Sequence, residues 1–203
     1  MKKLLLGIAA VCLAGFTFAQ DAPLWMRHSV ISPDGTTIAF TYKGDIYTVP
    51  VAGGRAMQIT TNPAYDTAPV WSPDSKRIAF ASDRMGSLDV YIVAKDGGEP
   101  RRLTTHSGSE TPLAFTDAGH VLFSAGIMPS AEAVVFPSNG QFNQVYRVSV
   151  EGGRPTMISS MPMECISINK EGAMLYQDKK GYEDYWRKHH VSPIARDIWM
   201  YTP

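Results

Sequence analysis

Residues Asp89–Thr105, DVYIVAKDGGEPRRLTT, recur twice more in the chain at the same length. Asp45–Thr61 reads DIYTVPVAGGRAMQITT and Gln144–Ser160 reads QVYRVSVEGGRPTMISS, and the three align without a gap. A further copy opens at Asp197 as DIWMYTP and the sequence ends inside it. Each copy predicts a strand, a Gly-Gly turn and a second strand. Val, Ile and Tyr crowd the first strand, and Gly53-Gly54, Gly97-Gly98 and Gly152-Gly153 supply the positive φ of a tight hairpin.

A second unit precedes each hairpin. Ser32–Phe40 is SPDGTTIAF, Ser72–Phe80 is SPDSKRIAF, Phe115–Phe123 is FTDAGHVLF and Ile168–Tyr176 is INKEGAMLY. Pro followed by Asp and then Gly or Ser suits a type I turn between two strands. The aligned positions Asp34, Asp74, Asp117 and Lys170 give periods of 40, 43 and 53 residues. Four short strands in a period of this size define a β-propeller blade. The predicted fold is therefore all-β, a propeller of four-stranded antiparallel blades with three blades complete and most of a fourth, short of a closed ring.

Residues 1–19 read as a signal peptide and 20–203 as the partial propeller. Lys2-Lys3 forms a positive n-region, Leu4–Phe18 an apolar h-region and Ala19-Gln20 a cleavage point. Fifteen apolar residues are few for a membrane span, which needs about 20. An uncleaved anchor is the bland alternative, and no stop-transfer pattern supports it. Export to the periplasm or beyond is the expectation, with no membrane span after cleavage. Losing Lys2 and Lys3 leaves seventeen basic against nineteen acidic residues, a slight negative charge that argues against a nucleic-acid surface. Cys165 alone remains after cleavage, so no intramolecular disulfide forms, and its apolar setting MPMECISI predicts a buried structural thiol.

The blades fall at about 25–61, 66–105, 110–160 and 164–203. In the first, Trp25–Ile31 is expected innermost, followed by Thr37–Tyr42, Asp45–Val49 and an outer strand at Ala56–Thr60. Blade four is expected to lack its outer strand. Between the second and third strands, Phe40 to Asp45 is 5 positions and Phe80 to Asp89 is 9, whereas Phe123 to Gln144 and Tyr176 to Asp197 are each 21. The insertions Ser124–Asn143 and Gln177–Arg196 would leave the same face as the loops joining successive blades. Long insertions on one face of a repeat array are where binding usually resides.

At these motifs a family resemblance appears. SPDG or SPDS before IAF, then ASDR-x-G, D-[IV]-Y and GG-x-x-x-x-[IL]-T-T resemble the WD-like repeat of TolB-like and tricorn-protease-like propellers. The run LWMRHSVISPDGTTIAFTYKGDIYTVPVAGG and the later QDKKG…WRKHH…IARDIW are most similar to the amino-terminal propeller of secreted tricorn-like serine peptidases. The resemblance covers nearly the whole chain after the leader. It implies a modular hydrolase in which propellers admit peptides or unfolded polypeptide and a PDZ-like module and a serine-peptidase core follow. Partners would then be peptides and the other modules of the parent chain, or further copies of this one. Family propellers usually close with more blades than this chain supplies.

No catalytic constellation occurs in the sequence. There is no G-x-S-x-G elbow and no P-loop, and the Gly-Gly pairs lie between strands. His189-His190 lacks a third ligand at H-E-x-x-H spacing and reads as a solvated basic loop. No metal or cofactor is expected. The candidate peptide-binding residues are Asp66, Glu110 and Glu164 in the inter-blade loops, with Tyr185 and Trp186 in the last insertion. The three carboxylates would form an acidic collar at the channel mouth, drawing in cationic segments or amino termini. The alternative is that each carboxylate accepts hydrogen bonds and fixes its own loop. Asp45, Asp89 and Asp197, with Gln144 substituting, open the hairpins and are expected to satisfy turn N–H groups. Tyr47, Tyr91, Tyr146 and Trp199 are expected to pack between blades. Two functions stand: a non-catalytic propeller gating peptides and docking modules in a tricorn-like peptidase, or a TolB-like envelope scaffold that binds other proteins without proteolysis.

Overall fold

The computed structural model describes residues 25–126, 143–161, 163–169, 171–178 and 197–202. The proposed leader, and most of both insertions with Tyr185, Trp186, His189 and His190, lie outside the described residues. Blade one comprises β1 (Arg27–Ile31), β2 (Thr37–Tyr42), β3 (Asp45–Pro50) and β4 (Met57–Gln58), hydrogen-bonded in that order. Blade two repeats it with β5 (Asp66–Trp71), β6 (Arg77–Ser82), β7 (Asp89–Ala94) and β8 (Arg101–Arg102). Blade three has β9 (Glu110–Asp117), β10 (His120–Ala125), β11 (Gln144–Ser149) and β12 (Thr156–Ser159). Blade four has β13 (Met163–Ile168), β14 (Met174–Asp178) and β15 (Ile198–Tyr201), so its described sheet holds three strands. Every pairing is antiparallel, and among the described residues the ring of blades is not closed.

The Ser-Pro-Asp turns form because the side chains hold them from inside. In blade one, Gly35 N donates to Ser32 O at 2.8 Å, while Asp34 Oδ1 accepts from Ser32 Oγ at 2.5 Å and from Thr36 N at 3.0 Å. Ser72 and Asp74 repeat the device, with Ser75 N on Ser72 O at 2.9 Å. The Gly-Gly connections are longer than the expected tight hairpin: residues 51–56, 95–100 and 150–155 separate the third and fourth strands. Gly97 carries φ 91° and Gly98 φ 119°, and Gly97 N donates to Ala94 O at 2.9 Å. A Cβ on Gly97 would stand 3.7 Å from Ile59 O of blade one, so the turn also touches the neighbouring blade. The outer strand of blade one is correspondingly short, Met57–Gln58 within the expected Ala56–Thr60.

Alternation along each strand divides its side chains between two blade interfaces. On β6, Ile78 and Phe80 face blade one, where they join Ala39, Ile46 and Ile59, with Trp71, Tyr91 and Val93 beside them. Ala79 faces the other way and joins Val90, Ile92 and Leu103 against Phe115, Val121, Phe123, Tyr146 and Val148 of blade three. Leu122 and Val145 then meet Met163, Met174 and Tyr176 of blade four. One aromatic pair recurs: Phe40–Tyr47, Phe80–Tyr91 and Phe123–Tyr146 are opposite across the ladder, with ring centroids 5.9, 6.0 and 5.7 Å apart. Tyr91 and Tyr146 pack between blades as expected, whereas Tyr47, on the uncovered side of blade one, is half-buried. Trp199 is exposed and outside these clusters. Burying a hydroxyl-bearing ring in this way is favourable through its apolar area plus about 1 kcal/mol from ring geometry.

Cys165 corrects an expectation. It is free and exposed, because β13 bulges between Glu164 and Ser167 and Cys165 takes φ 52° there. A bulge adds one residue against the partner strand and breaks the alternation from which burial was inferred. His28 (φ 51°) in the bulge of β1 and Ala68 (φ 51°) in that of β5 do the same.

Candidate functional site

The first residue of β5 and that of β9 are each tied to the loop between the second and third strands of the preceding blade. Asp66 N donates to Gly44 O at 2.7 Å, and Glu110 N donates to Leu88 O at 2.6 Å. The inter-blade segments and these loops therefore share one rim. The segment following Ala125 and the one preceding Gln144 leave and rejoin blade three at that rim.

Asp66 and Glu110 are both fully buried. Asp66 receives Arg84 Nη2 at 3.1 Å on each of its oxygens. Arg84 is itself almost covered, and its guanidinium carbon lies 4.5 Å over the Tyr91 ring and 5.7 Å over Phe80. A carboxylate out of water is costly unless paired, and Arg84 is that pair. Glu110 has a different set of neighbours. Thr104 Oγ1 donates to Glu110 Oε2 while accepting from Val90 N at 2.9 Å, and His106 Nδ1 lies 3.9 Å from Oε1. Burial pushes the Glu110 carboxyl up to about 7; the Thr104 hydroxyl acts against this and the charge of Asp89 adds to it.

Glu164 stands apart from both. Asp66 pairs with Ser82 and Glu110 with Ala125, but at the corresponding place in blade four Met163 pairs with Asp178, and Glu164 is one step further along, opposite Gln177. One residue along a strand reverses the face. The half-buried Glu164 is thus not the third member of a set with Asp66 and Glu110. Tyr185 and Trp186 lie outside the described residues.

Asp45 and Asp89 serve the outer-strand side of their hairpins and not the turn. Asp45 accepts from Gln58 Nε2 at 3.0 Å and from Thr60 Oγ1 at 3.3 Å, while Thr60 Oγ1 accepts from Ile46 N at 3.0 Å. The threonine, not the aspartate, satisfies the backbone N–H. In blade two the fully buried Asp89 has Arg102 Nη2 at 2.8 Å from Oδ2, an ion contact without hydrogen-bond alignment. Asp45 is raised above the ordinary carboxylate range, first by burial and also by the charge of Asp66. Each described junction of this type therefore places a hairpin aspartate of one blade near the leading carboxylate of the next.

Sequence reasoning did not single out Arg84, Arg102, Thr60 or Thr104. The recurring I-T-T and L-T-T ends marked the threonines, and the ASDR run marked Arg84, but which loops meet is a tertiary fact. Among the described residues, no group of three or more His, Cys, Asp or Glu is arranged to hold a metal, and no helix is long and apolar enough to cross a membrane. The described junctions can bind charge and hold loops; they present no nucleophile–base pair.

The successive four-stranded antiparallel blades define a β-propeller. Residues 23–203 match the tricorn protease N-terminal β-propeller domain, and the chain belongs to that family. The tricorn protease homolog 1 of Streptomyces coelicolor is 25% identical over 180 residues, covering 88% of this chain and 16% of the relative. The chain thus spans a small part of that relative's length. A putative TolB from Agrobacterium tumefaciens superposes with TM-score 0.65 at 16% identity, over 88% of this chain and 58% of that one. The tricorn protease crystal structure superposes with TM-score 0.62 at 12% identity, over 87% of this chain and 21% of its own. At such identities these two likenesses concern the fold.

Proposed function

We propose that this chain is the non-catalytic propeller portion of an exported tricorn-like serine peptidase, where it binds or gates peptides and docks other modules. The observation that carries the reading is the family match over residues 23–203, set against the small share of the tricorn homologue that the chain spans. The rim supports a binding role, since the two long insertions of blades three and four connect there. Because Arg84 neutralises Asp66 and burial pushes the Glu110 carboxyl up, attraction of cationic or amino-terminal peptide segments rests on Glu164 in this reading. Glu164, with Tyr185 and Trp186 from the insertion, supplies the contact groups of this reading; Asp66 and Glu110 hold loops through Arg84 and Thr104.

A TolB-like scaffold is the second reading, favoured by the superposition on the Agrobacterium protein. It assigns the same rim to a folded partner instead of a peptide. Fluorescence anisotropy with labelled unfolded peptides of opposite charge separates the two. Saturable binding of cationic peptides, weakened about tenfold by Tyr185→Ala with Trp186→Ala, supports peptide handling. No binding of any unfolded peptide sinks it.

A further inference from the structure

Six buried side-chain polar atoms among the described residues make no hydrogen bond, and five of them belong to Asp89, Arg102, His106 and Glu110. Buried polar groups are nearly always paired, so their clustering at one junction is informative. The residues come from every part of the joint between blades two and three. Asp89 opens β7, Arg102 is on β8, His106 lies in the inter-blade linker and Glu110 opens β9. Glu110 is linked to blade two through Thr104, which in turn holds Val90 N. Asp89 and Arg102 both act on Glu110 through space, and His106 Nδ1 is 3.9 Å from its Oε1.

The equivalent joint between blades one and two is built differently. There the buried carboxylate, Asp66, is neutralised by both contacts of Arg84. Among the described residues, no arginine grips Glu110 in that way. Arg102 is spent on Asp89.

We propose that the joint between blades two and three is a proton-operated latch, in which Glu110 holds a proton when the joint is closed and gives it up when the joint opens to water. With the proton in place, Glu110 is neutral beside the charge of Asp89. Without it, two buried carboxylates face one guanidinium that contacts only Asp89, and Glu110 keeps the Thr104 hydroxyl and the His106 backbone N–H, while the His106 ring accepts from Gly108 N at 3.0 Å through Nδ1. Like charges in a dry site repel strongly. The closed joint therefore weakens as pH rises.

The sign follows from linkage. The carboxyl is raised in the closed state relative to its ordinary value, so closure is fully favoured below that ordinary value and the advantage is lost as pH rises to about 7. The opening constant should rise by approaching tenfold per pH unit across that window and then level off.

Hydrogen exchange on the whole chain tests this at the backbone amides of Val90 and Glu110, with Ile46 and Asp66 of the first joint as internal reference. After correction for the intrinsic pH dependence of exchange, opening at Val90 and Glu110 is expected to increase from pH 5 to pH 7 while that at Ile46 and Asp66 stays nearly level. Infrared difference spectra over the same range should show a protonated carboxyl band that Glu110→Gln removes. Glu110→Gln should also abolish the selective pH dependence of exchange. Parallel exchange profiles at the two joints, or no protonated carboxyl band at pH 5 that fades towards pH 7, would overturn the proposal, and both are read on the wild-type chain and so stand even if the variant fails to fold.

Discussion

Arg84 Nη2 lies 3.1 Å from both carboxylate oxygens of Asp66, with the aspartate wholly buried. This pair sits where the rim loop of blade two turns back over its own innermost strand, and Tyr91 and Phe80 form the floor beneath the guanidinium.

Removing one partner should cost more than removing both. Arg84→Ala leaves a buried carboxylate without its counter-charge and is expected to destabilise the fold by about 3 kcal/mol. Arg84→Met combined with Asp66→Asn should recover most of that loss. Urea unfolding of the two variants checks it, and equal losses would show that the pairing is not what the site requires.

The aromatic ladder predicts unequal costs for the same change. Tyr91 is buried between blades one and two, and Tyr91→Ala should lose roughly 3–5 kcal/mol. Tyr47 occupies the same strand position on the uncovered side of blade one, and Tyr47→Ala should lose about 1 kcal/mol. Thermal melts of both variants supply the comparison.

Two turn carboxylates contribute to the acid limb of stability. Asp34 and Asp74 are each held below the ordinary carboxylate range, first by the hydroxyl of Ser32 or Ser72. A depressed carboxylate contributes above its unfolded value and loses that contribution as pH falls through the folded value. Carboxyl NMR titration should therefore place both midpoints below 3.8, and Ser32→Ala should return Asp34 towards it. Unchanged midpoints in the alanine variants would remove the hydroxyls from the explanation.

Cys165 should behave as a surface thiol. Its exposure in the β13 bulge predicts rapid, complete reaction with a thiol reagent in the absence of denaturant. Reaction only after unfolding would contradict the bulge geometry.

Ile198, Met200 and Leu175 of blade four are 78, 68 and 49% exposed, and Ile31 of blade one is 57% exposed. Apolar faces of this kind drive association. The isolated 203-residue chain is expected to be oligomeric or poorly soluble, and Ile198→Lys with Met200→Glu should improve its recovery. A monodisperse, cooperatively melting wild-type monomer would contradict this.

Much of the architecture was legible because it is local and repeated. The Ser-Pro-Asp turn and the following I-A-F run placed β2 at its observed ends, Thr37–Tyr42, since the turn chemistry fixes the start and a short run buried on both faces continues it. The positions of both insertions followed from counting between repeats. What escaped depends on parts distant in sequence coming together. Arg84 pairs with a residue 18 positions earlier, across a loop whose path cannot be read from spacing. Cys165 was misread because a single bulge residue breaks the alternation. Asp66 and Glu110 were correctly matched as equivalent positions, yet their burial depends on the neighbouring blade. Glu164 looked like a third copy at a slightly shorter spacing, and that one-residue difference moves it to the other face.

The most direct test of the proposed role is the size of the native protein in envelope extracts, blotted with an antibody against residues 20–61. The peptidase reading predicts an exported band several times larger than this chain, carrying a hydrolase-reactive serine. A band at the chain's own size without that reactivity would contradict it and leave the TolB-like scaffold.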